Sequence, residues 1–244
     1  MIGNCAEWFF QSLETRRGLR PFRKSSSMFF SRTKTLDTEG AATALLNVVR
    51  QHTIEMSDFL LDGGPSLNLR QCLDLTSECS AFSYFVVDIS LFDSYADDNL
   101  RDVLLKHFVK YLQQAQPRQN WASEIQHRLD DYASIVKNHH NKLDGLPECA
   151  VEACKKYGAM DIAYVLSNQN DPDQDTGGIF TIQKFAARAS AFSQGATICL
   201  AIAIRAIFSR IEANAFPTSL EEDILNQIRD LMRQNNKHGE VKLQ

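Results

Sequence analysis

Apolar residues recur every three to four positions through most of the chain, and few windows alternate apolar with polar for long enough to make a strand. That periodicity predicts helices near 3–16, 38–61, 67–91, 98–115, 118–143, 148–168, 178–214 and 218–235. Six prolines, at 21, 65, 117, 147, 172 and 217, fall at or between these segments, where a missing N–H and a fixed φ end a helix. The densest apolar run is Gly195–Phe208, GATICLAIAIRAIF, in which Arg205 is the one charge. A helix apolar on every side must be enclosed by protein or by lipid. The expected fold is therefore all-α: a single-domain bundle of seven or eight helices around a buried apolar helix at about 178–214.

Several helix ends have a chemical cause. Asp37 or Thr38 can cap the second segment by accepting backbone N–H bonds. Asp62-Gly63-Gly64-Pro65 ends it, because glycine takes positive φ and proline cannot continue. Thr218-Ser219-Leu220-Glu221-Glu222 has the composition of a capping box. The residues after Asn235 read as a frayed tail, 236–244. Residues 36–235 then form the domain.

The run 195–208 is too short to span a bilayer, and 189–211 reaches that length only by taking in Ser190, Ser193, Gln194, Arg205, Ser209 and Arg210. A central arginine costs about 2.5–3.5 kcal/mol on insertion scales. Enclosure by protein is the preferred expectation; membrane association through 189–211 is the alternative.

Charge divides the chain. Residues 1–35 hold seven Lys/Arg against two Glu, a net +5, and the remainder holds −9, giving −4 over 244 residues. The acidic body removes any general attraction to nucleic acid, and none is expected as a partner. The basic head, 1–35, is expected to be loosely docked or disordered. It also has the Arg- and Ser-rich, acid-poor look of a transit peptide, and Ile2, Cys5, Trp8, Phe9 and Leu13 could share one face of a surface helix. Met28 could instead be the true start. The six cysteines form no C-x-x-C pair and sit mostly among apolar neighbours, so they read as buried thiols of a reducing, cytoplasmic compartment.

Four constellations could carry chemistry. His52, His107 and His139 fall on the apolar sides of three different helices, with Glu55 one turn from His52. If they converged they could hold Zn or Fe, or act as acid and base. Separate satisfaction of each imidazole is the plainer expectation, and no resident cofactor is expected. Asp171, Asp173 and Asp175 precede Gly177 with the alternation that opens an EF-hand-type calcium loop. Thr176 and Ile182 stand where that loop needs glycine and a bidentate glutamate, so a polar turn is expected instead. Arg205, Asp88 and Asp161 are charges inside apolar stretches, and a buried charge must be paired. Arg205 is expected to meet Asp88 or Asp161, fixing register or forming a pocket for a small anion. Glu124-Ile125-Gln126-His127 has the spacing of one quarter of a di-iron site, but no second copy exists and His127 should face water.

No Walker A loop, dinucleotide glycine fingerprint, G-x-S-x-G elbow or H-E-x-x-H pair is present. The function expected from the sequence is a soluble, non-enzymatic helical protein that binds a protein partner or a small anionic ligand, with oligomerisation left open. A metal-dependent or acid/base enzyme built on the histidines is the first alternative, and membrane association through 189–211 or the basic head is the second.

Overall fold

The computed structural model describes residues 35–62, 67–94, 96, 98–117, 120–167, 185–211 and 215–240, with the side chains of Leu69, 157–167 and 236–240 outside the description. The expected segment 3–16, the basic head before Thr35 and the 171–175 carboxylates lie outside these residues.

The fold is an all-α bundle. Its helices are α1 Thr38–Leu61, α2 Leu69–Asp93, α3 Asp98–Ala115, α4 Trp121–Lys137, α5 Leu146–Ser167, α6 Phe185–Phe208 and α7 Leu220–Glu240. A short 3-10 turn, Lys142–Gly145, joins α4 to α5. Two-residue strands β1 (Thr35–Leu36) and β2 (Phe216–Pro217) pair antiparallel, Thr35 opposite Pro217 and Leu36 opposite Phe216. This clasp holds the entry of α1 beside the entry of α7.

Local chemistry explains the ends. Asp37 caps α1 by accepting the Gly40 N–H at 2.8 Å. Asn68 and Gln71 form a reciprocal capping box at the start of α2. At α7 the Ser219 hydroxyl donates to Asp223 Oδ2 at 2.8 Å, in place of the capping box expected there. α7 continues to Glu240, past the point where the tail was expected to fray.

α4 stops at Lys137, short of the expected 143. Asn138 and Asn141 are poor helix residues that offer the backbone other partners, and Asn141 accepts the Leu143 N–H to start the 3-10 turn. Gly145 closes the corner: a Cβ there would lie 3.0 Å from Val136 Cα. Gly145→Ala should therefore push α4 and α5 apart and cost about 1–3 kcal/mol. A urea midpoint unchanged from the parent protein would contradict that.

The centre of the bundle is α2, not the apolar α6. Every residue from Asp74 to Val87 is buried, and α2 packs on α1, α5 and α6. Three of its buried serines are satisfied within the helix itself. Ser77, Ser80 and Ser90 hydroxyls donate to the carbonyls of Leu73, Thr76 and Val86 at 2.6–2.8 Å. α6 packs against α2 and α7 but leaves Ala187, Ala191, Gln194 and Ile202 exposed. It has the length and apolarity of a membrane span, and half of its most apolar stretch is buried inside the protein.

Candidate functional site

The three sequence-selected histidines do not come together. His52 is buried between α1, α2 and α6, with Nδ1 2.8 Å from Ser83 Oγ and Nε2 3.1 Å from Thr197 Oγ1. A neutral imidazole donates through one nitrogen and accepts through the other, so both hydroxyls are satisfied. Burial lowers its pKa from 6.5 to about 3, which keeps the ring neutral. His107 on α3 is only partly buried and meets Glu39 of α1 at 2.8 Å. His139 lies in the turn after α4 and meets Glu148 of α5 at 3.1 Å. Glu55 is exposed and accepts the Gln51 amide on its own helix. Each histidine thus joins a different set of elements. The joint Zn or Fe site of His52, His107, His139 and Glu55 is corrected accordingly, and no three His, Cys, Asp or Glu side chains gather at metal-binding distance among the described residues. His127 is exposed.

Thr197 reaches His52 from a π turn. Over Ser193–Thr197 the helix α6 carries one extra residue per turn, and the Ile198 N–H reaches back to the Ser193 carbonyl. This rotates the two halves of α6 relative to a regular helix. Phe192 closes the His52 environment, its ring 5.3 Å from the imidazole and 5.4 Å from Phe59. The Ser193 hydroxyl in the same turn is buried with no partner among the described residues. The arrangement is enclosed: Ser83, Ser193 and Thr197 are fully buried.

The buried charges pair differently from expectation. Arg205 meets Asp93, the last residue of α2, and not Asp88. Asp93 also receives Lys142 at 2.5 Å. Asp88 is held by Arg101 of α3 in a bidentate pair at 2.9 and 3.0 Å, and that bond raises the Arg101 pKa. The Asp161 side chain lies outside the described residues. With Asp93 on its guanidinium, Arg205 is not an open anion site. Phe92, 56% exposed, has Arg101 and Lys142 within 5.1 and 4.9 Å of its ring centre.

Sequence reasoning missed the deepest ion pair. Glu78 of α2 is almost wholly buried and receives Arg128 of α4 at 2.5–3.0 Å through three contacts. Burial pushes the Glu78 carboxyl up, and the Arg128 bonds oppose that. The helical periodicity of α4 places Arg128 one turn from Ile125 and Tyr132, a signal that could have found it. Five described cysteines are buried and free. Burial raises the Cys79 and Cys149 thiols to about 12, which makes them inert.

Sequence reasoning also missed an open cleft of about 630 Å³ between the C-terminal end of α6 and the outer face of α7. Ile207, Ile211 and Pro217 form its apolar side. Asp223, Asn226 and Asp230, one helical turn apart in succession, form its polar side, and Arg210 stands at its edge. Asp223 belongs to an acidic first turn with Glu221 and Glu222. Among the described residues Asp230 makes an exposed contact with Arg233 at 3.5 Å, which holds its carboxylate weakly. No single motif signals this cleft, because its two sides come from helices separated by the β2 clasp.

No protein-family model matches the chain, and no match was found among curated proteins or solved structures.

Proposed function

We propose that this is a soluble, non-enzymatic, cytoplasmic protein that binds a basic segment of a partner protein in the α6–α7 cleft. The cleft carries the reading. Its volume lies within the roughly 300–1,000 Å³ of binding sites, and it sets an apolar side against two carboxylates, Asp223 and Asp230. A segment alternating arginine or lysine with large apolar residues matches both sides at once. The histidines support a non-enzymatic role, since each is engaged in a separate interhelical contact. Five free, buried thiols support a reducing compartment.

The test is fluorescence anisotropy with a labelled twelve-residue peptide of alternating Arg and Phe and an acidic counterpart of equal length. Saturable binding of the basic peptide is expected at about 10–100 μM, weakening as salt rises. The acidic peptide should not bind, and Asp223→Lys with Asp230→Lys should abolish binding while the helical circular dichroism of the folded protein is retained. Equal binding of both peptides, or an unaffected double variant, would sink the reading.

A further inference from the structure

We propose that the occupant of the cleft is the chain's own basic segment, residues 17–34; this rests on the cleft reading above.

Three observations lead there. The first is position. In the antiparallel clasp Thr35 lies opposite Pro217, so the strand, followed from Leu36 back to Thr35, points toward Thr218 and the start of α7. Pro217 is itself part of the cleft wall. The second is reach. Leu220 to Asp230 covers about 15 Å of helix, a distance about five extended residues can span. The segment 17–34 is several times longer than that requires. The third is chemistry. The segment reads RGLRPFRKSSSMFFSRTK, with Met28-Phe29-Phe30 a few residues before the clasp, flanked by Arg32 and Lys34 on one side and Arg23 and Lys24 on the other. The aromatic pair suits Ile207 and Ile211; the cations suit Asp223, Asp230 and the acidic first turn of α7. Among the described residues that line the cleft Arg210 is the one cation, and it is outnumbered by those carboxylates.

Tethering strengthens the case. A segment joined directly to the clasp has an effective concentration in the millimolar range. Contacts too weak to hold a free peptide would still keep the tethered one in place, and an outside segment must displace it.

The experiment places a benzophenone amino acid at Gln227, on the cleft face of α7, in the full chain, and maps cross-links by mass spectrometry. Linkage chiefly to residues 17–34 of the same molecule is expected, and it should disappear in the Asp223→Lys, Asp230→Lys variant. Linkage elsewhere overturns the proposal. A mixture of ¹⁴N- and ¹⁵N-labelled protein gives the next decision: mixed-isotope linkages would assign the cleft to a second copy and overturn occupancy in cis.

A companion measurement separates this inference from the reading beneath it. Replacing Arg23, Lys24, Arg32 and Lys34 by Gln should tighten binding of the Arg-Phe peptide about tenfold. Unchanged affinity overturns self-occupancy and leaves the receptor reading standing. Cross-links to 17–34 with no peptide bound by either form would establish self-docking and remove the receptor reading.

Discussion

Unfolding free energy should fall as pH drops from 6.5 toward 3, by up to about 1.4 kcal/mol per unit from one residue, His52. Its folded pKa is lowered to about 3 by burial, against 6.5 when unfolded. Between these values the unfolded chain binds one more proton than the folded chain. Its contribution is fully present above pH 6.5 and is lost as pH falls through the folded pKa, on the order of 5 kcal/mol in all. Carboxylates add to acid unfolding in any protein, so the diagnostic is a comparison. His52→Gln can keep hydrogen bonds to Ser83 and Thr197 but cannot take up a proton in this range. Its stability curve should be flatter than the parent's between pH 6 and 4. His52→Phe should lose about 3 kcal/mol at pH 7, because two buried hydroxyls lose their partner. Parallel curves for the parent and His52→Gln would show that His52 is not the titrating group.

Arg128→Met should cost about 3–5 kcal/mol, the second large effect. It would leave the Glu78 carboxyl buried beneath α4 with its three charge-assisted contacts gone. Replacing both partners, Glu78→Leu with Arg128→Met, should recover most of the loss, since a well-packed apolar pair needs no desolvation of charge. Urea unfolding of the two singles and the double gives the coupling. A loss below about 1 kcal/mol for Arg128→Met would mean that water already reaches Glu78.

These two effects arise where reading the chain was hardest. His52 stood out because it lies at the centre of an apolar stripe, and it is indeed buried. Its partners did not stand out. Thr197 is 145 positions away and faces His52 only because of the π turn. A regular period of 100° per residue, carried across 193–197, directs Thr197 elsewhere. Arg205 was legible as a charge that needs a carboxylate, yet nothing in the local sequence singles out Asp93 as its partner. Asp88 was already held by Arg101, one helix away. Which of several acids in an apolar helix meets a given base depends on helix rotation and axial height, and neither is written in local spacing.

The cleft was illegible for a related reason. Asp223, Asn226 and Asp230 look like the solvent face of an amphipathic helix, and a solvated face is what that pattern ordinarily means. Only the clasp of Thr35–Leu36 on Phe216–Pro217, together with the end of α6, turns the face into one wall of a cavity.

By itself the sequence determined the all-α class, the span of α1 and α3 to the residue, the Asp37 cap and the breaks at Pro117 and Pro217. These follow from contacts within a turn or two, where periodicity, capping and missing N–H groups act directly. Tertiary structure alone decided that α2, with its serines and its glutamate, is the enclosed helix while the more apolar α6 keeps an exposed face. Apolarity says that a surface is better removed from water. It does not say which neighbour removes it, and hydroxyls satisfied by their own helix, or a carboxylate satisfied by an arginine two helices on, can be buried as fully as leucine.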